Sequence, residues 1–95
     1  MSGLKENLLN EIIELAKEYG IEKVILFGSR ARGDFKERSD IDLAVSGGDV
    51  VGFSFAIEEE TTTLLMFDVV NLGKGVQKEL IDSIKREGIV LYEKV

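Results

Sequence analysis

The stretch LFGSRARGDFKERSDIDLAV, residues 26–45, decides the fold prediction. It ends one apolar strand with a Gly-Ser pair, passes through an arginine-rich loop and enters a second apolar strand with two aspartates. Aspartate is among the residues least suited to strand interiors. Because side chains alternate between the two faces of a strand, we expect Asp40 and Asp42 on one face and Ile41 and Leu43 on the other. Packing in the hydrophobic core therefore does not explain the presence of the two aspartates.

Paired carboxylates indicate a cation site. Asp40 and Asp42 would lie about 6–7 Å apart along the strand, where they repel each other unless a cation is held between them. A third carboxylate, Asp68, lies in the apolar segment 63–71. Its burial would cost several kcal/mol, so we expect it to point out of the core towards the same site. The alternatives are turn chemistry for Asp40 and Asp42, and edge exposure or pairing with lysine for Asp68.

The Gly-Ser pair and the arginines that follow it indicate an anion site. Gly28 lets the backbone turn sharply, and Ser29 offers a hydroxyl and the start of a helical turn whose N–H groups face an anion. Arg30, Arg32 and Arg38 fall within nine residues, and Arg32 would emerge one turn after Ser29 on the same side. The alternatives are an ordinary turn and a solvated basic loop. The arrangement has the chemistry of a phosphate cradle without the lysine and spacing of a Walker loop.

The composition limits the possible chemistry. The 95 residues include no cysteine and no histidine, which excludes disulfides, thiolate or imidazole zinc sites and Ser-His-Asp triads. Carboxylates suit hard cations, so magnesium or manganese is the metal to expect. The net charge of −6 disfavours an extended nucleic-acid groove. No segment resembles a membrane span or a secretory signal, and we expect a cytoplasmic location.

Hydrophobic periodicity predicts a single domain, residues 1–95, with three helices and four strands. The predicted elements are a helix over 4–19 with Gly20 as its C-cap, strands over 23–27 and 40–45, a segment over 50–60 that favours a short helix, a strand over 63–71 buried on both faces, a helix over 76–87 and an edge strand over 89–93. This order indicates the α/β or α+β class, with a small mixed sheet and helices packed on it.

Gly28-Ser29, ten intervening residues and Asp40-x-Asp42 together resemble the signature of the nucleotidyltransferase superfamily that includes polymerase beta. The surrounding FGSRARGDFKERSDIDLAV is similar to the minimal nucleotidyltransferase family within it, and the resemblance extends from the first helix to the last. It implies the polymerase-beta-like nucleotidyltransferase fold. Larger relatives carry a helical substrate-binding domain that these residues lack, so we expect the acceptor to come from another polypeptide or from a second copy.

The resemblance also implies roles for individual residues, with ATP as the substrate. It implies that Gly28 and Ser29 hold the β- and γ-phosphates, that Arg32 contacts the triphosphate, with Arg30 as a further candidate, and that Asp40, Asp42 and Asp68 bind two Mg²⁺ ions, or Mn²⁺ in their place. Asp68 would also accept the proton from the attacking hydroxyl.

Three functions remain open at this point. The resemblance implies the antitoxin of a toxin–antitoxin pair, which transfers AMP from ATP to a tyrosine of a helical HEPN-type toxin. The alternatives are a non-catalytic stoichiometric inhibitor and the catalytic subunit of an enzyme that modifies a small molecule such as an antibiotic. A homodimer is a further expectation if Leu9, Ile13 or Val76 is exposed.

Overall fold

The computed structural model describes residues 4–95, and residues 1–3 of the predicted domain lie outside the described residues. The elements follow the predicted order, with one short helix, Ser29–Arg32, in addition where the sequence predicted a turn between two strands. They are α1 (Glu6–Glu18), β1 (Lys23–Phe27), α2 (Ser29–Arg32), β2 (Ile41–Ser46), α3 (Val50–Glu60), β3 (Phe67–Asn71), α4 (Lys78–Glu87) and β4 (Ile89–Glu93).

The four strands form one mixed sheet in the order β3-β2-β1-β4. Strand β1 runs antiparallel to both β2 and β4, whereas β2 and β3 are parallel. The parallel pair follows from the chain path, because α3 carries the chain from the end of β2 back to the sheet end at which β2 began. The predicted α+β class with a small mixed sheet is confirmed.

Helices cover both faces of the sheet, as the alternation of buried side chains along the strands requires. One face packs against α1 and α3 in a cluster that includes Ile12, Leu26, Leu43, Phe53 and Ile57. The other face packs against α4 through Phe27, Ala44 and Ile84. Successive residues of β2 therefore serve different layers, and Asp42 lies on the face that carries α4.

The segment over 50–60, for which the sequence favoured a short helix, is helix α3. Asp49 caps its N-terminus, because the Gly52 N–H donates a hydrogen bond of 2.9 Å to Asp49 Oδ1. Phe53, Ala56 and Ile57 are buried at helical spacing, which holds the helix on the sheet.

Strand β3 differs from its prediction. It begins at Phe67 rather than at residue 63, and its apolar side chains are half-buried rather than buried on both faces. The prediction is wrong because an apolar run does not reveal whether its strand lies in the centre or at the edge of a sheet. Strand β3 is an edge strand with only β2 beside it, so Asp68 is exposed and so are Leu64 and Met66 just before it.

The three apolar side chains considered for a homodimer, Leu9, Ile13 and Val76, are half-buried rather than exposed. The homodimer stays a prediction. Among residues 4–95, no helix combines the length and the apolar character that a membrane span needs.

Candidate active site

Two of the three predicted carboxylates lie side by side. Asp42 on β2 and Asp68 on β3 are direct register partners in the parallel pair. Paired residues of adjacent strands project to the same side of the sheet, so both side chains lie on the face that carries α4. Asp42 is half-buried and Asp68 is exposed. The structure thus brings together two aspartates that are 26 positions apart in the sequence.

Asp40 lies beside this pair of aspartates. It is exposed and precedes β2 by one residue. Its neighbour Ile41 donates a backbone hydrogen bond of 2.9 Å to the Met66 carbonyl, which ties the start of β2 to the chain that enters β3. The negative charge of Asp40 is one of the influences that raise the pKa of the Asp42 carboxyl.

Burial raises the pKa of the Asp42 carboxyl above its ordinary value of 3.8, and the charges of Asp68 and Asp40 raise it further. The Arg32 guanidinium lowers the same pKa, but it is the smallest of these influences. The pair therefore carries negative charge that its neighbours do not balance.

The chemistry of these donors fits a hard divalent cation, because they are oxygen ligands whose mutual repulsion a cation would remove. Across residues 4–95, no three acidic side chains converge tightly enough to form a preformed ligand cluster. The centre of the site is the pair of Asp42 and Asp68, with Asp40 next to it.

Gly28 brings the predicted phosphate turn against Asp42. Its backbone angles, φ 74° and ψ −156°, fall in a region that only glycine adopts without strain. A β-carbon at this position would collide with the Asp42 carboxylate. Phe27, the preceding residue, is the register partner of Asp42 on β1. Glycine is therefore required both for the turn and for the close approach of the backbone to Asp42.

Ser29 begins α2, a single helical turn. The N–H groups of Ala31 and Arg32 each donate a hydrogen bond of 3.1 Å to the Gly28 carbonyl, which closes this turn directly after β1. Ser29 is half-buried and follows the glycine that contacts Asp42. The predicted phosphate turn and the carboxylates thus meet at one end of the sheet.

The two arginines predicted as nucleotide ligands occupy different environments. Arg32 lies at the border of the site, where Nη1 is 3.1 Å from Glu87 Oε2 and Nε is 3.3 Å from Asp34 Oδ2. The hydrogen bond to Glu87 is the largest influence that raises the pKa of Arg32, and the hydrogen bond to Asp34 raises this pKa further. Arg30 is only 6% exposed, and its guanidinium donates to carbonyls of the following loop.

Sequence reasoning missed Glu87, the last residue of α4. It is 55 positions from Arg32 in the sequence, and nothing in the local pattern of α4 marks it as a partner of that arginine. The contact arises because α4 ends at the sheet end where α2 begins.

The site is an open surface rather than an enclosed pocket, since both Asp40 and Asp68 are exposed. Two cavities of about 430 and 310 Å³ lie elsewhere on the chain. Their linings are Glu22, Lys23, Ser46, Glu93, Lys94 and Val95 for the larger, and Ser54, Phe55, Glu58, Phe67 and Val69 for the smaller.

Comparison with known proteins places the chain in a family. The profile described as "Polymerase beta, Nucleotidyltransferase" matches residues 10–95. "Putative protein adenylyltransferase MJ0604" of Methanocaldococcus jannaschii is 40% identical over 81 residues, covering 76% of this chain and 79% of the relative.

Two solved structures share the fold. The "Structure of putative minimal nucleotidyltransferase" is 29% identical with a TM-score of 0.66, covering 85% of this chain and 86% of the other. The "Crystal structure of the toxin-antitoxin with AMP-PNP" is 24% identical with a TM-score of 0.69, covering 90% of this chain and 73% of the other. The chain belongs to the polymerase beta nucleotidyltransferase family and is a nucleotidyltransferase of its minimal type.

Proposed function

We propose that this chain is a magnesium-dependent protein adenylyltransferase, which transfers AMP from ATP to a hydroxyl group of a partner protein. The observation that carries the proposal is the register pairing of Asp42 with Asp68, directly beside the turn at Gly28. The name of the relative MJ0604 supports a protein acceptor, and the AMP-PNP complex of a protein with the same fold supports an adenine nucleotide.

The nucleotide would bind at the end of β1. The turn at Gly28 and Ser29 would hold the phosphates through backbone N–H groups and the Ser29 hydroxyl. Arg32 would balance the negative charge of the triphosphate, for which it must exchange its contact with Glu87. The turn at Gly28 lies against Asp42, so the phosphates and the carboxylates would share one cation.

Asp42 and Asp68, together with Asp40, would hold two Mg²⁺ ions, or Mn²⁺ in their place. Bound there, the ions would neutralise the charge on the attacking and leaving oxygens of the transfer. The exposed carboxylate of Asp68 would take the proton from the acceptor hydroxyl. The acceptor oxygen forms a bond to the α-phosphorus, the bond from that phosphorus to the β-phosphate oxygen breaks, and pyrophosphate leaves.

A protein acceptor fits the surface better than a small molecule does. The site is open, and three large apolar side chains are exposed beside strand β3, which carries Asp68. They are Phe55 of α3, Leu64 and Met66. Exposed apolar groups of this kind mark contacts with proteins. The net charge of −6 favours a basic partner, and we propose a helical HEPN-type toxin modified on a tyrosine.

Intact-mass spectrometry tests the proposal directly. The purified chain is incubated with ATP, Mg²⁺ and a candidate HEPN-type helical protein, chosen from the reading frames that adjoin its gene. We expect the partner to gain the mass of AMP less one water, on a tyrosine identified by peptide fragmentation. The same incubation with Asp42→Asn/Asp68→Asn should leave the partner unmodified.

Two outcomes would contradict the proposal. If the double variant neutralises the partner in cells as well as the native chain does, stoichiometric inhibition is the correct function. If no partner is modified while an aminoglycoside gains AMP, the chain is the catalytic subunit of a small-molecule enzyme.

A further inference from the structure

Arg30 is a buried cation of helix α2, and its guanidinium reaches into the loop between α2 and β2. Its Nε and Nη2 donate to the Ser39 carbonyl at 3.0 and 2.9 Å, and Nη2 also donates to the Glu37 carbonyl at 3.1 Å. The guanidinium carbon lies 4.8 Å from the centre of the Phe35 ring. A buried charge with several charge-assisted hydrogen bonds and an aromatic neighbour holds its surroundings rigidly.

The segment that Arg30 holds is a closed turn. The Ser39 N–H donates to the Lys36 carbonyl at 3.0 Å, and the Lys36 N–H donates to Ser39 Oγ at 2.8 Å. Both hydrogen bonds fix Ser39 within its own turn, whereas the guanidinium of Arg30 fixes that turn to α2. Without Arg30, the turn would keep its local hydrogen bonds but lose this attachment to the domain.

Hydrogen bonds hold the backbone on both sides of Asp40. On one side is the Ser39 carbonyl, which belongs to the peptide unit leading into Asp40 and is held by Arg30. On the other side is the Ile41 N–H, which is hydrogen-bonded to Met66 next to β3. Asp40 lies just before β2, so these two hydrogen bonds hold its backbone in place of regular strand pairing.

We propose that Arg30 is a positioning residue, which sets Asp40 against Asp42 by holding the Ser39 carbonyl. Arg30 follows Ser29 directly, so it also couples the phosphate turn to the carboxylates. The inference rests on the proposed function, because it assigns Arg30 to the same cation site. It replaces a direct contact between Arg30 and phosphate, which the resemblance implied, with an action through the backbone.

Arg30→Lys tests this assignment, since lysine keeps the charge but loses the planar fork that reaches several carbonyls at once. Mn²⁺ binding is measured by electron paramagnetic resonance without any nucleotide. We expect the dissociation constant to rise at least about 10-fold, as is typical when a residue behind metal ligands is changed. Amide hydrogen exchange at residues 36–41 should accelerate, and raised Mg²⁺ should restore part of kcat with little change in KM for ATP.

Arg38→Lys is the matched control, because Arg38 is an exposed arginine of the same loop. It should leave Mn²⁺ affinity and hydrogen exchange within about two-fold of the native chain, the change that a few tenths of a kcal/mol produce. Circular dichroism confirms that both variants are folded.

Three results would overturn the inference. Unchanged nucleotide-free Mn²⁺ affinity in Arg30→Lys, with KM for ATP raised, would make Arg30 a phosphate ligand. Faster loop exchange without any loss of Mn²⁺ affinity would make it a purely structural residue. A native chain that binds no Mn²⁺ would remove the metal site itself, and with it the proposed function; in the first two results the native chain still transfers AMP.

Discussion

Asp42 and Asp68 lie next to each other on the adjacent parallel strands β2 and β3, and both project from the face of the sheet that α4 covers. Gly28 lies next to this pair, because its backbone packs against the Asp42 carboxylate. This relationship makes the site sensitive to charge on the aspartates, to the size of residue 28 and to the ion pairs of the nearby arginine.

Replacing either paired carboxylate should abolish transfer. We expect Asp42→Asn and Asp68→Asn each to lower kcat/KM at least about 100-fold, because each removes a charge that would hold a cation on the reacting phosphates. Steady-state assay of pyrophosphate release measures the effect. Glu59→Gln, the same chemical change at an exposed position of α3, should be neutral. Equal losses in all three variants would show that the acidic pair has no special role.

The raised pKa of Asp42 predicts a pH-dependent stability without metal. The folded chain binds the Asp42 proton more tightly than the unfolded chain does, so the free energy of unfolding falls as the pH rises from 3.8 towards the raised value. Asp42→Asn lacks this loss, and we expect it to be more stable at neutral pH by at most about 1 kcal/mol, since solvent screens the charges.

Urea denaturation at a series of pH values, with chelator present, measures this difference in unfolding free energy. The advantage of Asp42→Asn should disappear below pH 3.8, where the native carboxyl is also neutral. Added Mg²⁺ should stabilise the native chain and not the variant. A difference that stays constant with pH would contradict the electrostatic origin.

Gly28→Ala should damage both the backbone and the site. We expect about 1–3 kcal/mol of destabilisation from the backbone angles, together with displacement of Asp42 and loss of Mn²⁺ affinity. Gly33→Ala is the matched control, because Gly33 also has a positive φ, 93°, but open space where its β-carbon would lie. It should lose stability only. Thermal unfolding and Mn²⁺ titration separate the two effects, and equal Mn²⁺ affinity in both variants would contradict the role of close approach.

Glu87 should compete with the nucleotide for Arg32. We expect Glu87→Gln to strengthen binding of Mg-ATP by up to about five-fold, since an exposed ion pair is worth at most about 1 kcal/mol. Isothermal titration calorimetry measures the dissociation constant. Glu93→Gln breaks a similar exposed ion pair with Lys23 at the opposite end of β1 and serves as the control. Weaker binding in Glu87→Gln than in Glu93→Gln would show that Glu87 supports Arg32 rather than competes with it.

Much of this arrangement follows from local sequence alone. The period of apolar residues determined the order of helices and strands, and the alternation of a strand determined that Asp42 leaves the layer containing Leu43. Gly28 could be singled out because a sharp turn after an apolar strand needs glycine. These features depend on the geometry of a few consecutive residues, which the sequence contains in full.

Tertiary structure alone decided the rest. The pairing of Asp68 with Asp42 depends on the parallel register of two strands, and the half-exposure of β3 depends on its place at the sheet edge. Arg30 and Arg32 are the same residue type only two positions apart. Yet the Arg30 side chain is buried among loop carbonyls, whereas the Arg32 side chain donates a hydrogen bond to Glu87. Such differences arise from the path of the loop and the end point of α4, because contacts between distant residues depend on how elements pack rather than on their own composition.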